Sequence, residues 1–257
     1  MIKLGKYEII RLAILFIGVF GLAKSSWAGT INAASCSFAD VSAAVNAATA
    51  GDIIIIPAGT CTWANNVTIT KGVILLGAGA DKTIITSNAP GALIVYAPAD
   101  LSLKAPFRFS GFTLDFNNEP GEGPGFYLNP RIGGIPQTRI RIDHNKFKNA
   151  MYALGLPGMF GVVDSNTFEN FNTPSRHSWC SFDYGLYNWE HFPEVIYGAN
   201  ENNMYYEDNV FTNVSSQMTD AQCGQRYAYR YNTYYGTADS FPVFDMHGNY
   251  YGGPETI

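Results

Sequence analysis

Ile142-Asp143-His144-Asn145-Lys146-Phe147-Lys148-Asn149 decides the fold, because the chain repeats it. The phrase returns as Val163-Asp164-Ser165-Asn166-Thr167-Phe168-Glu169-Asn170 and as Tyr206-Glu207-Asp208-Asn209-Val210-Phe211-Thr212-Asn213. A looser copy runs Tyr229-Arg230-Tyr231-Asn232-Thr233-Tyr234. The central asparagines lie 21, 43 and 23 residues apart, so the middle interval reads as two coils, one of which has lost the phrase. A fifth copy is expected at Met246-His247-Gly248-Asn249-Tyr250-Tyr251, after a shorter interval of 17.

A period near 21 residues with no helix inside it fits a coil of three short strands and three turns, each coil stacked on the last at about 4.8 Å. Leucine-rich repeats share the length but need a leucine consensus that is absent. The expected fold is therefore all-β: a single right-handed parallel β-helix. Ile142, Val163, Tyr206 and Tyr229 should face inward, and the aromatic two positions after each asparagine should stack inside. The asparagines should occupy a turn, adopt the left-handed conformation, and hydrogen-bond to their counterparts above and below.

Upstream, Ser37 caps the one convincing helix, with Asp40 three residues later and Phe38, Val41, Ala44, Val45 and Ala48 at helical spacing. Gly51 stops it, and it lies where a solenoid needs its open end covered. Ile53 to Ile56 reads as a strand buried on both faces. Short strands follow at 67–70, 73–76, 83–86, 93–96 and 107–116. No cap comparable to the helix follows Asn249, so the reading allows further coils beyond Ile257.

Lys3, Lys6 and Arg11 precede an apolar run from Leu12 to Ala23, and Ser26-Trp27-Ala28 offers small residues at both cleavage-determining positions. Residues 1–28 thus read as a signal peptide, too short in its apolar run for the roughly twenty residues that span a bilayer. Residues 29–257 are then one secreted β-helix domain, expected to be monomeric and free of the membrane after cleavage. Cleavage lowers the 16 basic and 21 acidic residues to 12 and 20, a net charge of −8. Nucleic acid is not an expected partner, since phosphate binding needs a basic footprint.

Disulfides persist in exported proteins. Cys36 before the helix and Cys61 after the first strand are expected to pair. Cys180 and Cys223 form either a second bond or two buried thiols, and no Cys/His spacing suggests zinc.

The stretch from Cys36 to Thr86 carries the Ala44-Val45-Asn46-Ala47-Ala48 helix, Gly51-Asp52, Pro57-Ala58-Gly59-Thr60 and Gly77-Ala78-Gly79. It resembles the entry to proteins of the pectin-lyase-like superfamily, and the Asp-x-Asn-x-Phe phrase resembles their parallel β-helix repeats. That superfamily includes polysaccharide lyases, glycoside hydrolases, esterases, phage tailspikes and adhesins. The paired-Asp signatures of its polygalacturonase branch are absent and the lyase motifs are incomplete. Fold alone does not give function.

The residue two before each asparagine should point outward. That column reads Asp143, Asp164, Glu207, Arg230 and His247. One reading is a surface salt-bridge ladder. The other is a uronide lyase: Asp164 and Glu207 hold calcium, and Arg230 or His247 takes the proton during β-elimination, with Glu207 part of the centre. The segment 172–203 offers Trp179, Tyr184, Tyr187 and Trp189 to stack on a polysaccharide, with the Gly/Pro-rich stretch 117–137 as an opposite wall. A lyase acting on an acidic glycan is the expected function. The rivals are a non-catalytic surface or adhesin β-helix, and a glycoside hydrolase using Asp164 and Glu207 two coils apart, roughly 10 Å.

Overall fold

The computed structural model describes residues 28–117, 126–128, 137–156, 159–178, 203–215, 217–222, 227–236 and 243–247. Helix α1 (Phe38–Ala47) forms at the predicted spacing, with Val41, Ala44 and Val45 buried. The Ser37 hydroxyl accepts from the Asp40 amide at 3.2 Å. Lys71 closes the other end by donating from Nζ to the carbonyls of Val45, Asn46 and Ala48. Cys36 and Cys61 are disulfide-bonded with Cα atoms 5.9 Å apart. The bond ties the start of α1 to the first coil and closes a loop worth about 3 kcal/mol in chain entropy.

The remaining described elements are strands, apart from a short 3-10 turn at Leu101–Leu103. Strand β1 (Thr30–Asn32) precedes α1, and β2 (Ile53–Ile56), β3 (Gly59–Trp63) and β4 (Val67–Ile69) follow it. Next come β5 (Ile74–Gly77), β6 (Thr83–Ser87) and β7 (Ile94–Tyr96), then β8 (Phe107–Ser110), β9 (Thr113–Asp115) and β10 (Phe126–Leu128). Two coils then use longer strands: β11 (Gln137–Asp143) with β12 (Lys146–Gly155), and β13 (Met159–Asp164) with β14 (Thr167–Ser178). The last are β15 (Met204–Glu207), β16 (Val210–Val214) and β17 (Gln217–Gln222), then β18 (Tyr227–Arg230), β19 (Thr233–Tyr235) and β20 (Val243–His247).

The pairings among these strands are parallel and fall into three rows. The first row is β1-β2-β5-β8-β11-β13-β15-β18. The second runs β3-β6-β9, through the first halves of β12 and β14, to β16 and β19. The third runs β4-β7-β10, through the second halves of β12 and β14, to β17 and β20. The chain visits each row in turn and returns one strand along, a pattern consistent with a parallel β-helix.

The wall is one sheet thick, so only one face of each strand meets the core. Ile54 and Ile56 are buried, but Ile55 is 38% exposed, which corrects the expectation that the isoleucine run is buried on both faces. Inward positions behave as predicted: Ile142, Val163 and Tyr206 are fully buried. Tyr206 stacks on Tyr229 at 4.3 Å, while Phe147, Phe168 and Phe211 stack at 5.2 and 4.9 Å.

The asparagines form the expected ladder. The Asn145, Asn166 and Asn209 amides donate to the side-chain oxygens of Asn166, Asn209 and Asn232, each at 2.9 Å. Two expectations about it change. Asn166 and Asn209 are direct neighbours, so the interval of 43 is one coil carrying an insertion, not two coils. The left-handed residue is the one before each asparagine: His144, Ser165, Asp208 and Tyr231 have φ of 55°, 55°, 53° and 59°. The ladder asparagine must aim its amide along the stack, so its predecessor makes the bend.

Candidate functional site

The outward column exists, and register places it. Ser110, Asp143, Asp164, Glu207 and Arg230 face one another on consecutive strands of the first row. Asp164 and Glu207 are therefore one rung apart, about 5 Å, rather than the two coils expected for the hydrolase reading. His247 does not join them. It lies at the end of β20 in the third row, opposite Gln222. The fifth copy of the phrase fails for the same reason: β20 continues β17, not β18. Strand β18 (Tyr227–Arg230) is the last described strand of the first row.

Sequence reading missed Arg108 and Arg141, which sit two residues before Ser110 and Asp143 on the same outward face. Each reaches diagonally to the acid on the next rung. Arg108 Nε and Nη2 bind Asp143 at 2.7 and 2.5 Å. Arg141 binds Asp164 at 3.1 and 2.9 Å and lies 3.6 Å from Asp143. Arg230 Nε donates to Glu207 at 2.6 Å, and the guanidinium lies 5.1 Å from the Tyr205 ring centroid. The signal was there: arginine two residues before the column recurs at 108 and 141, and period-two spacing puts it on the same face.

Asp143 is the best-enclosed member, with its side chain fully buried beneath Arg108, Arg141 and His144. Its Oδ2 also lies 2.8 Å from His144 Nδ1 and accepts from the Ser110 hydroxyl at 3.2 Å. Burial pushes the carboxyl up, but hydrogen bonds from Arg108 and His144 outweigh it and hold it below the ordinary carboxylate range.

A second outward column flanks the first. Gly111, His144, Ser165, Asp208 and Tyr231 follow the column residues, and all have positive φ. His144, Ser165, Asp208 and Tyr231 are exposed, Tyr231 at 77%. On the same end of the solenoid Tyr235 is 61% exposed. The Arg230 guanidinium thus lies over one aromatic ring, Tyr205, with the exposed Tyr231 next to it in the chain.

The expected calcium site does not fit this geometry. Calcium takes six to eight oxygens, whereas Asp164 and Glu207 each accept a guanidinium. Among the described residues no group of three or more His, Cys, Asp or Glu is arranged to hold a metal. The aromatic residues Trp179, Tyr184, Tyr187 and Trp189, and the cysteines Cys180 and Cys223, lie outside the described residues. The segment expected as a loop from 172 begins as strand, since β14 continues to Ser178. Within 117–137, Phe126–Leu128 forms β10, joining β7 to β12. Among the described residues no helix is long and apolar enough to cross a membrane.

No family model and no curated protein matches this chain. Among solved structures it is similar to ORF18 of Geobacillus virus E2, with 12% identity and a TM-score of 0.39. That match covers 97% of this chain and 66% of the viral one. A likeness of that degree fixes neither fold nor function.

Proposed function

We propose that this chain is an exported, right-handed parallel β-helix of the pectin-lyase-like kind that binds an acidic polysaccharide along the edge between its first two rows. The observation that carries the reading is the rung at Arg230, whose guanidinium lies over the Tyr205 ring and is followed in the chain by the exposed Tyr231. Exposed rings stack on the apolar faces of sugars, and a guanidinium binds a carboxylate in a bidentate, directional way. The Cys36–Cys61 bond supports export, because disulfides persist in oxidising compartments.

Cleavage by β-elimination is the second reading, favoured by the nearness of Arg230 to Glu207. It would use Arg230 as the base. The hydrogen bond from Arg230 to Glu207 pushes the guanidinium pKa further up, so the rung is better set to hold a carboxylate than to take a proton. We therefore rank binding first.

The test exposes the exported protein to pectate, alginate and glycosaminoglycans, measuring calorimetric binding and ultraviolet absorbance of unsaturated products, with and without chelator. Saturable binding to an acidic glycan is expected, weakened about tenfold or more in Arg230→Ala/Tyr231→Ala, with no unsaturated product. Absorbance that rises in proportion to protein would establish the lyase reading instead. Failure to bind any glycan sinks both.

A further inference from the structure

The N-terminal rung holds an arrangement to which export processing would add a charge. The Gly29 nitrogen donates to Asp52 Oδ1 at 2.7 Å. The other carboxylate oxygen accepts from the Thr49 amide at 2.7 Å and the Thr49 hydroxyl at 2.9 Å. Asp52 is 7% exposed, yet the three donors are neutral groups. Lys71 is the nearby cation, but its ammonium is bound to the last carbonyls of α1. These neutral donors satisfy the carboxylate, and a cation in direct contact would add to what they supply. Glycine at 29 lets the carboxylate close in: a Cβ there would stand 3.1 Å from Asp52 Oδ1. Residue 29 is also fixed by its own carbonyl, which accepts from the Ile53 amide at 2.8 Å at the start of the β1–β2 pairing. Ala28, just before it, is exposed.

We infer that cleavage after Ala28 converts the Gly29 nitrogen into an α-ammonium that forms an ion pair with Asp52, so that export processing itself locks β1 onto β2 and the end of α1. This rests on the export reading, in which residues 1–28 are removed. The step is hydrolysis by a signal peptidase. Water's hydroxyl goes to the Ala28 carbonyl carbon, the C–N bond breaks, and the nitrogen keeps its position while gaining protons. The atom that donates to Asp52 at 2.7 Å in the precursor carries a positive charge in the product. The three acceptor contacts at Asp52, led by the Thr49 amide, already hold its carboxyl below the ordinary range. It is thus ionised and ready to pair throughout the neutral range. The charged groups acting there are Asp52 and, farther off, Lys71.

The experiment compares the 29–257 chain carrying a free α-amine with the same chain acetylated at Gly29. Acetylation keeps an N–H donor and removes only the charge. Thermal unfolding near pH 6 should give the free-amine chain a midpoint higher by about 3 °C. Pairing raises the folded-state pKa of the amine above its ordinary value of about 8. The advantage should therefore be complete below that value and vanish as pH rises through the raised one. It should also be absent between amine and acetyl forms of Asp52→Asn. Equal midpoints for the two wild-type forms from pH 5 to 10, or an advantage that survives in Asp52→Asn, would overturn the inference. N-terminal sequencing of the exported protein tests the export reading separately. A start other than Gly29 defeats that reading, while the paired unfolding curves still decide whether this ammonium and Asp52 interact.

Discussion

Two asparagine ladders run the length of the phrase, and they differ in what surrounds them. Asn145, Asn166 and Asn209 are 2%, 1% and 0% exposed. Four residues on, Asn149, Asn170 and Asn213 form a second ladder at 2.9 and 3.1 Å. There Asn170 and Asn213 are exposed. The inner asparagines satisfy buried backbone as well as one another: Asn166 Nδ2 donates to the Ile142 carbonyl and Oδ1 accepts from the Asn145 amide. The outer asparagines are themselves the left-handed residues, at φ 62°, 60° and 54°, and they let β12 and β14 bend from the second row into the third. One ladder supplies partners where water cannot reach. The other supplies a backbone conformation at a corner that water can reach.

That contrast predicts unequal costs for the same substitution. Asn166→Ala orphans the Asn145 amide and the Ile142 carbonyl inside the wall, and should lower unfolding free energy by about 3 kcal/mol in urea titration. A loss under about 1 kcal/mol would mean that water or the neighbouring rung replaces the partners, and the distinction between the ladders would fail.

The ion pairs carry the same contrast at intermediate scale. Asp143 is fully buried, whereas Glu207 and Arg230 are 22% and 51% exposed. Arg108→Met should cost about 2 kcal/mol at pH 7, between the values for breaking buried and surface pairs. Asp143 has a folded-state pKa below its unfolded value of 3.8. Its contribution is present above that value and is lost as pH falls through the lower folded one. The wild type should therefore lose stability more steeply than Arg108→Met on acidification below about pH 4. Parallel curves would show that Arg108 is not what holds Asp143 ionised.

The smallest effect belongs to the outer ladder. Asn170→Ala should cost only a few tenths of a kcal/mol beyond the strain of a left-handed alanine, about 1 kcal/mol in total. Asn170→Gly, which removes the strain, should be nearly neutral by chemical denaturation. If Asn170→Gly costs as much as Asn166→Ala, the outer amide hydrogen bonds matter in their own right.

Much of this was readable from the residues. A phrase recurring near 21 residues reports a stack, because repetition of inward, outward and turn positions is the sequence image of coils that contact only their neighbours. The column Asp143, Asp164, Glu207 and Arg230 followed from a fixed offset to the ladder asparagines, and period-two alternation preserves direction along a strand. Ser37 and Asp40 marked the helix start because capping is local chemistry. The pairing of Cys36 with Cys61 was also inferred from their places beside a helix and a strand.

Other features were set by contacts that sequence distance conceals. The interval of 43 from Asn166 to Asn209 reads as two coils because spacing alone cannot separate a degenerate coil from an insertion; the Asn166–Asn209 hydrogen bond does. His247 looked like a column member by likeness of phrase, but strand pairing puts it in another row. Which acid is buried, and which arginine neutralises it, depends on diagonal reach between coils that are far apart in the chain, as from Arg108 to Asp143. Residue type and period determined the architecture, since both act within a coil. Register between coils decided the electrostatics, because a charge responds to whatever lies within a few ångströms of it in space.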